Sequence, residues 1–266
     1  MITGANRGIG LEMARQSAAQ GDIVIACCRT PMEAADLTAL AKQNDNVTLL
    51  GLDVRIERDM KPIAAGFARS IDLLVCNAGV LIGRGGLLDP EQDSRAVEDA
   101  LMTNVAGVFF TARHFLPHIL AGADERGDTP GKIAVISSVM GSSSRAASNS
   151  IMYRASKAAA TNLARSMAVE LKDQNIAVGA YHPGWVQTDM GGTSADVTPA
   201  ESAAGLLARF AALDMASSGI FVGVLSELLS GAVILFGLYS CPCTLNLRYP
   251  VMGHFAVGQN AIGAPR

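Results

Sequence analysis

A parallel, doubly wound α/β sheet is the fold that this 266-residue sequence predicts. Three observations carry that expectation. Short apolar strands alternate with helical segments over about the first 220 residues,. The strands are β-branched and apolar on both faces, which suits a sheet covered by helices on both sides. A glycine-rich turn over 3–10 then opens the first helical segment,. Right-handed crossovers complete a Rossmann-type layout in one domain.

Taken in order, the predicted strands lie over 22–28, 47–52, 71–76, 132–137 and 176–181. Helical segments fall over 11–20, 31–43, 56–70, 95–121, 153–174 and 201–213. Only Met1 and Ile2 precede Thr3-Gly4, so the strand that should lead into the glycine turn is almost absent. That strand is central in such a sheet, and its loss would expose two neighbouring edges.

Composition bounds the function. Hydrophobic residues make up 50% and the net charge is −3, enough apolar material for one large core. No Lys/Arg run appears, which argues against a nucleic-acid partner,. The five cysteines are Cys27, Cys28, Cys76, Cys241 and Cys243. Three of them sit in apolar runs, so buried free thiols are expected rather than a disulfide framework. The glycine turn follows Met1 almost at once, so no leader is expected, and a reducing cytoplasm fits best. No metal constellation is seen. His114 and His118 are four apart with Pro117 between them, and read as ordinary helix-surface residues. Cys241-Pro242-Cys243 is one pair without a second,.

The turn Thr3-Gly4-Ala5-Asn6-Arg7-Gly8-Ile9-Gly10 lets the backbone approach a pyrophosphate, and the helix behind it offers free N–H groups to the anion,. Gly4, Asn6, Arg7, Gly8, Ile9 and Gly10 are therefore candidate cofactor contacts. Arg29 follows the strand over 22–28, where an acidic side chain would bind an adenosine ribose; an arginine suits a 2′-phosphate,. Arg7 could add a second cation. The pair favours NADP(H) over NAD(H). Asp53, with Val54 after it, is placed to meet the adenine. Asn77-Ala78-Gly79 reads as a tight turn beside the cofactor, and a purely structural turn is almost as good a reading.

Tyr153 and Lys157, four residues apart on a helix, share a face,. A free tyrosine titrates near ~10. An ammonium beside it should lower that value and suit the phenol to acid/base work.

These motifs, in this order, resemble the short-chain dehydrogenase/reductase family over roughly residues 1–222. Ser137-Ser138-Val139-Met140-Gly141, Tyr153-Arg154-Ala155-Ser156-Lys157 and His182-Pro183-Gly184-Trp185-Val186-Gln187-Thr188-Asp189-Met190 are similar to the carbonyl-reductase branch that includes C-factor-like proteins. The resemblance implies Tyr153 as proton donor, with Lys157 as its pKa-lowering partner and holder of the nicotinamide ribose. It implies Ser138 as the carbonyl-orienting hydroxyl. Ser137 is its rival, since neighbours on a strand point to opposite faces. Asn104 matches the fourth catalytic position, behind Lys157. Pro183, Gly184, Val186 and Thr188 match the loop that fixes the nicotinamide. The implied function is NADPH-dependent reduction of a small or medium carbonyl substrate; a dinucleotide-binding signalling protein with little turnover is the alternative. The resemblance also implies a possible homo-oligomer through the helices over 95–121 and 153–174.

The sequence divides into a catalytic dinucleotide-binding domain, 1–222, and an atypical tail, 223–266. The run over 219–240 is apolar with one charge, Glu227, and meets the ~20 residues of a spanning helix. A membrane anchor, a segment packing on a partner, and non-native sequence all compete for it.

Overall fold

The computed structural model describes residues 1–224. The predicted tail falls almost wholly beyond them, as do Glu227, Cys241 and Cys243. Among the described residues no helix is long and apolar enough to cross a membrane.

The chain runs β1 (Ile2–Thr3), α1 (Gly8–Ala19), β2 (Val24–Cys28), α2 (Ala35–Gln43), β3 (Val47–Gly51), α3 (Glu57–Ala65) and β4 (Leu73–Cys76). It continues through α4 (Ser94–Leu101), α5 (Gly107–Arg126), β5 (Gly131–Ile136), α6 (Ile151–Glu170), β6 (Ile176–His182), α7 (Pro199–Ala212) and β7 (Phe221–Gly223). Among the described residues the strands form one sheet of seven, in the order β3-β2-β1-β4-β5-β6-β7, with every pair parallel. The order reverses at β1/β4, which opens a crevice at the carboxyl ends of the strands. This is the doubly wound sheet that the apolar strands predict.

The first strand is short but not lost. Ile2 sits opposite Ala26 on one side and Val75 on the other. The Met1 ammonium donates to the Leu73 carbonyl at 2.8 Å, and Val75 N–H donates to the Met1 carbonyl at 2.8 Å. Ala5 N–H continues the ladder to the Cys27 carbonyl at 2.9 Å. The expected pair of exposed edges therefore does not exist. The residues around Ile2–Thr3 bond to both neighbours, so four or five positions close a gap that two strand residues alone would leave.

All five residues of β2 are buried, whereas β3, at the edge, is half open. One half of the core lies between the sheet and α3, α5 and α6, around Met60, Phe115, Ile119, Ile133 and Val178. The other half packs Met13, Leu37, Leu206 and Phe210 of α1, α2 and α7 on the opposite face. Each such side chain contributes about 1.5–3 kcal/mol by leaving water. Cys27, Cys28 and Cys76 are buried free thiols.

Several predicted boundaries move, each for a local reason. The helix expected over 95–121 is interrupted by a π-helical turn, Met102–Ala106, that separates α4 from α5. The segment over 31–43 opens with a 3₁₀ turn, Pro31–Glu33, before α2. Helix α7 begins at Pro199, because Thr198 and Glu201 form a reciprocal capping box two residues before the predicted start,. Strand β7 has no predicted counterpart: three residues are too few to show a period,.

His114 and His118 are not free surface residues. His114 Nε2 lies 2.9 Å from Glu57 Oε1, and the His118 ring nitrogens lie 3.0 and 3.2 Å from the carbonyls of Ala64 and Arg69. Both fasten α5 to the α3 region, a tertiary contact that the helical period cannot reveal.

Candidate active site

A cavity of about 540 Å³ opens at the carboxyl ends of the strands. One side of it is the glycine turn. Gly4 and Gly8 adopt φ of +66° and +55°. A Cβ on Gly4 would stand 2.8 Å from Ala78 Cα, and one on Gly10 would overlap the Gly4 carbonyl. Helix α1 starts at Gly8 with no side-chain cap on its first N–H groups. Backbone pared this close, ending in an uncapped helix N-terminus, fits a pyrophosphate.

The turn is braced from β4. Thr3 Oγ1 accepts from the N–H groups of Asn77 and Ala78 at 3.0 and 3.1 Å, while Asn77 Nδ2 donates to the Thr3 and Gly4 carbonyls at 2.9 and 3.2 Å. Asn77 thus spends its side chain on the glycine turn, and Asn77, Ala78 and Gly79 still line the cavity. The same residues thus brace the glycine turn and line the cavity.

At the outer rim stands Arg29, exposed and making no hydrogen bond or ion pair among the described residues. Arg7 differs: its guanidinium is 2.6 Å from Asp189, both side chains being mostly exposed. That pair spans the mouth from the glycine turn to the loop after Thr188, and such exposed pairs contribute at most ~1 kcal/mol. Asp53 and Val54 line the cavity beside Arg29. Arg55, which sequence reasoning missed, grips Asp53 at 2.8 Å and reaches Asp99 at 2.8 Å. Burial opposes ionisation of Asp53, but the hydrogen bonds and charge of Arg55, with the charge of Arg29, hold its carboxyl below the ordinary value. Asp36 also lines this end, and no spacing in the sequence marks it.

The chemical end is assembled by β5 and α6. Tyr153 is 8% exposed and Lys157 4%. Both line the cavity, one turn apart on the same helix face. The Lys157 ammonium donates to the Ile136 carbonyl at 2.8 Å and sits 5.7 Å from the centroid of the Tyr153 ring. Ser138 lies beside the Tyr153 phenol, near enough to favour its ionised form, and caps the 3₁₀ turn Val139–Gly141. Ser137 turns the other way, with Oγ 2.9 Å from the Lys157 carbonyl and 2.6 Å from Thr161 Oγ1. The alternation along β5 therefore separates the two serines, and it is Ser138 that meets the tyrosine.

Asn104 occupies the π turn. Its Oδ1 accepts from Val80 N–H at 2.8 Å, and its Nδ2 donates to the Val80 carbonyl and Ser156 Oγ, each at 2.9 Å. A Cβ on Gly79 would lie 3.3 Å from both Asn104 Oδ1 and Lys157 Nζ. The two groups thus face each other across a glycine. The extra residue of the π turn is what aims this side chain inward.

The electrostatics depart from the simple pair argument. Burial raises the Tyr153 pKa, and Ser138 only partly opposes it. Lys157 is desolvated as well, and its own pKa is pushed down to about 8. Helical spacing gives proximity but says nothing about burial, which costs each charged form more than one partner returns.

On the remaining wall, Pro183 and Thr188 line the cavity. The Thr188 methyl lies 3.3 Å from where a Cβ of Gly8 would stand. Gly184 and Val186 do not line it. Gly184 makes the turn with φ +89°, and Val186 is buried and bridged to Val197.

A parallel sheet with this glycine turn and a Ser–Tyr–Lys cluster at the strand ends defines an oxidoreductase of the nicotinamide-dinucleotide kind. A family model described as short chain dehydrogenase matches residues 1–198, and the chain belongs to that family. It is 29% identical over 196 residues to tetrahydroxynaphthalene reductase of Pyricularia oryzae; the match covers 71% of this chain and 65%, just under two thirds, of that protein. Among solved structures it is similar to the carbonyl reductase Sniffer of D. melanogaster, with TM-score 0.77 and 28% identity, covering 84% of this chain and 95% of that one. An NADPH-bound carbonyl reductase from chicken fatty liver gives TM-score 0.76 and 31% identity, covering 84% and 94%.

Proposed function

We propose that the protein is an NADPH-dependent carbonyl reductase acting on small or medium, fairly apolar ketones or aldehydes. The observation that carries this reading is one cavity lined by Arg29 at its adenosine end and by Tyr153 and Lys157 at its chemical end, with Ser138 beside the tyrosine. Glycine backbone and the α1 N-terminus would hold the pyrophosphate, Arg29 the 2′-phosphate, and Lys157 the nicotinamide ribose hydroxyls. Pro183 and Thr188 would seat the nicotinamide. The similarity to carbonyl reductases, one of them bound to NADPH, supports the same reading.

The bound cofactor supplies the hydride. The Ser138 hydroxyl donates to the substrate carbonyl oxygen and fixes it beside the phenol. Tyr153 gives its proton to that oxygen as negative charge builds there. Its raised pKa keeps it protonated at neutral pH, the form a proton donor needs,. The ammonium of Lys157 then stabilises the phenolate left behind. Asn104 positions Val80 and Ser156 and so the backbone behind Lys157. Water from the cavity mouth restores the proton.

Purified protein should oxidise NADPH in the presence of reactive diketones, quinones or aldehydes, and prefer NADPH to NADH. Tyr153→Phe should cut kcat by about 10³-fold while NADPH affinity stays within threefold. A native protein inert to the whole carbonyl panel with both cofactors would overturn the proposal.

A further inference from the structure

Arg7 and Asp189 meet across the mouth of the cofactor cavity, and both line it. Arg7 directly precedes α1 and gives the first turn of that helix no side-chain cap. Its guanidinium reaches instead to Asp189 Oδ2 at 2.6 Å, 182 positions along the chain. The sequence offers Arg7 as a second cation for a 2′-phosphate; in the structure its charge already has a partner.

The segment that carries Asp189 is a braced strap. Gly191 N–H donates to Thr188 Oγ1 at 3.1 Å, and Gly192 N–H donates to the Thr188 carbonyl at 2.7 Å. Trp185 Nε1 donates to the Gly191 carbonyl at 2.8 Å. A second arginine holds the strap from a different loop: Arg84, between β4 and α4, donates to the Met190 carbonyl. Thr188, Asp189 and Met190 all line the cavity. The Thr188 methyl lies 3.3 Å from where a Cβ of Gly8 would stand, at the uncapped start of α1. The strap thus passes close to the helix N-terminus that fits the pyrophosphate, and is tied to the glycine turn through Arg7.

Charge decides what this tie can do. An unpaired Asp189 beside that N-terminus would repel the diphosphate of a dinucleotide, and Arg7 cancels its charge while joining the two walls. Both side chains are mostly exposed, and exposed pairs of this kind form and break readily.

Resting on the cofactor reading above, we propose that the Arg7–Asp189 pair is a latch that holds the strap over 188–191 across the bound dinucleotide and slows its release, for NADPH and NADH alike. Arg29 alone then reads the 2′-phosphate, and Arg7 takes no part in that choice. The latch is indifferent to the 2′ position because its partner is a carboxylate of the strap.

The test is stopped-flow release of NADPH and of NADH from the full chain, followed by nicotinamide fluorescence after displacement with excess oxidised cofactor. In Arg7→Gln and in Asp189→Asn each cofactor should leave about two- to fivefold faster, the range that one exposed ion pair spans. The ratio of NADPH to NADH release rates should stay within about threefold of the native ratio, since one contact serves both. The double variant should release no faster than the single ones, because all three lack the same contact. In about 1 M NaCl the gap between native and variant rates should close. Slower release of NADPH from Asp189→Asn would overturn the inference, as it would mean that the freed arginine binds phosphate. So would a shift of the ratio beyond threefold in Arg7→Gln, which would put Arg7 at the 2′-phosphate. Additive effects in the double variant, or native rates in both single variants, have the same consequence and leave the cofactor reading intact. A native protein that binds neither NADPH nor NADH fails the cofactor reading itself, and the inference with it.

Discussion

Lys157 is kept charged at a cost, and removing the charge should make the unliganded protein more stable as it makes it inactive. The residue is 4% exposed, and burial pushes its pKa from 10.5 down to about 8. At ~1.36 kcal/mol per pH unit, that depression corresponds to ~3 kcal/mol. The folded state thus pays ~3 kcal/mol at pH 7 to keep the lysine protonated. Lys157→Met removes this term but leaves the Ile136 carbonyl without the 2.8 Å bond, at ~1–2 kcal/mol. The net expectation is a gain of about 1–2 kcal/mol in urea unfolding at pH 7.

The pH dependence isolates the cause. Between pH 8 and 10.5 the unfolded lysine binds a proton that the folded one has lost, so this group's contribution to stability rises with pH through that window. Buried Cys27 and Cys76, with thiols pushed up to about 12, act in the opposite sense from about pH 9. The difference between the two proteins is therefore the readout. The advantage of Lys157→Met should shrink by ~3 kcal/mol between pH 7 and 10.5. An advantage that does not change with pH, or a variant less stable than the native chain by 1 kcal/mol at pH 7, refutes the reasoning.

Two further outcomes follow from the site. Asn104→Ala breaks three hydrogen bonds, two part-buried ones to both backbone groups of Val80 and a buried one to Ser156; urea unfolding should show a loss of about 2–4 kcal/mol, and the Val80 amide should exchange faster. Arg29→Asp should raise the KM for NADPH by about 10- to 100-fold with little change for NADH; equal effects on the two cofactors would remove Arg29 from the 2′-phosphate site.

Much of this site was legible from local pattern. Thr3–Gly10 and Tyr153–Lys157 are short-range spacings fixed by turn and helix geometry, and the structure keeps both at the strand ends. Alternation along β5 says that only one of Ser137 and Ser138 can serve, and the family resemblance points to Ser138. What remained hidden depends on distant partners. Arg55 meets Asp99 44 positions away, and Thr3 meets Asn77 across 74. Asp36 acquires its setting only when strand β2 lies beside its neighbours.

The sequence by itself determined the doubly wound sheet, the glycine turn and the shared face of Tyr153 and Lys157, because periods of two and 3.6 residues are properties of neighbouring positions. Only the tertiary structure decided that two residues suffice for β1, and that a π turn aims Asn104 inward. It also decided that burial moves Tyr153 up and Lys157 down. Ladder completion and desolvation depend on what surrounds a residue in space, and neither quantity is written along the chain.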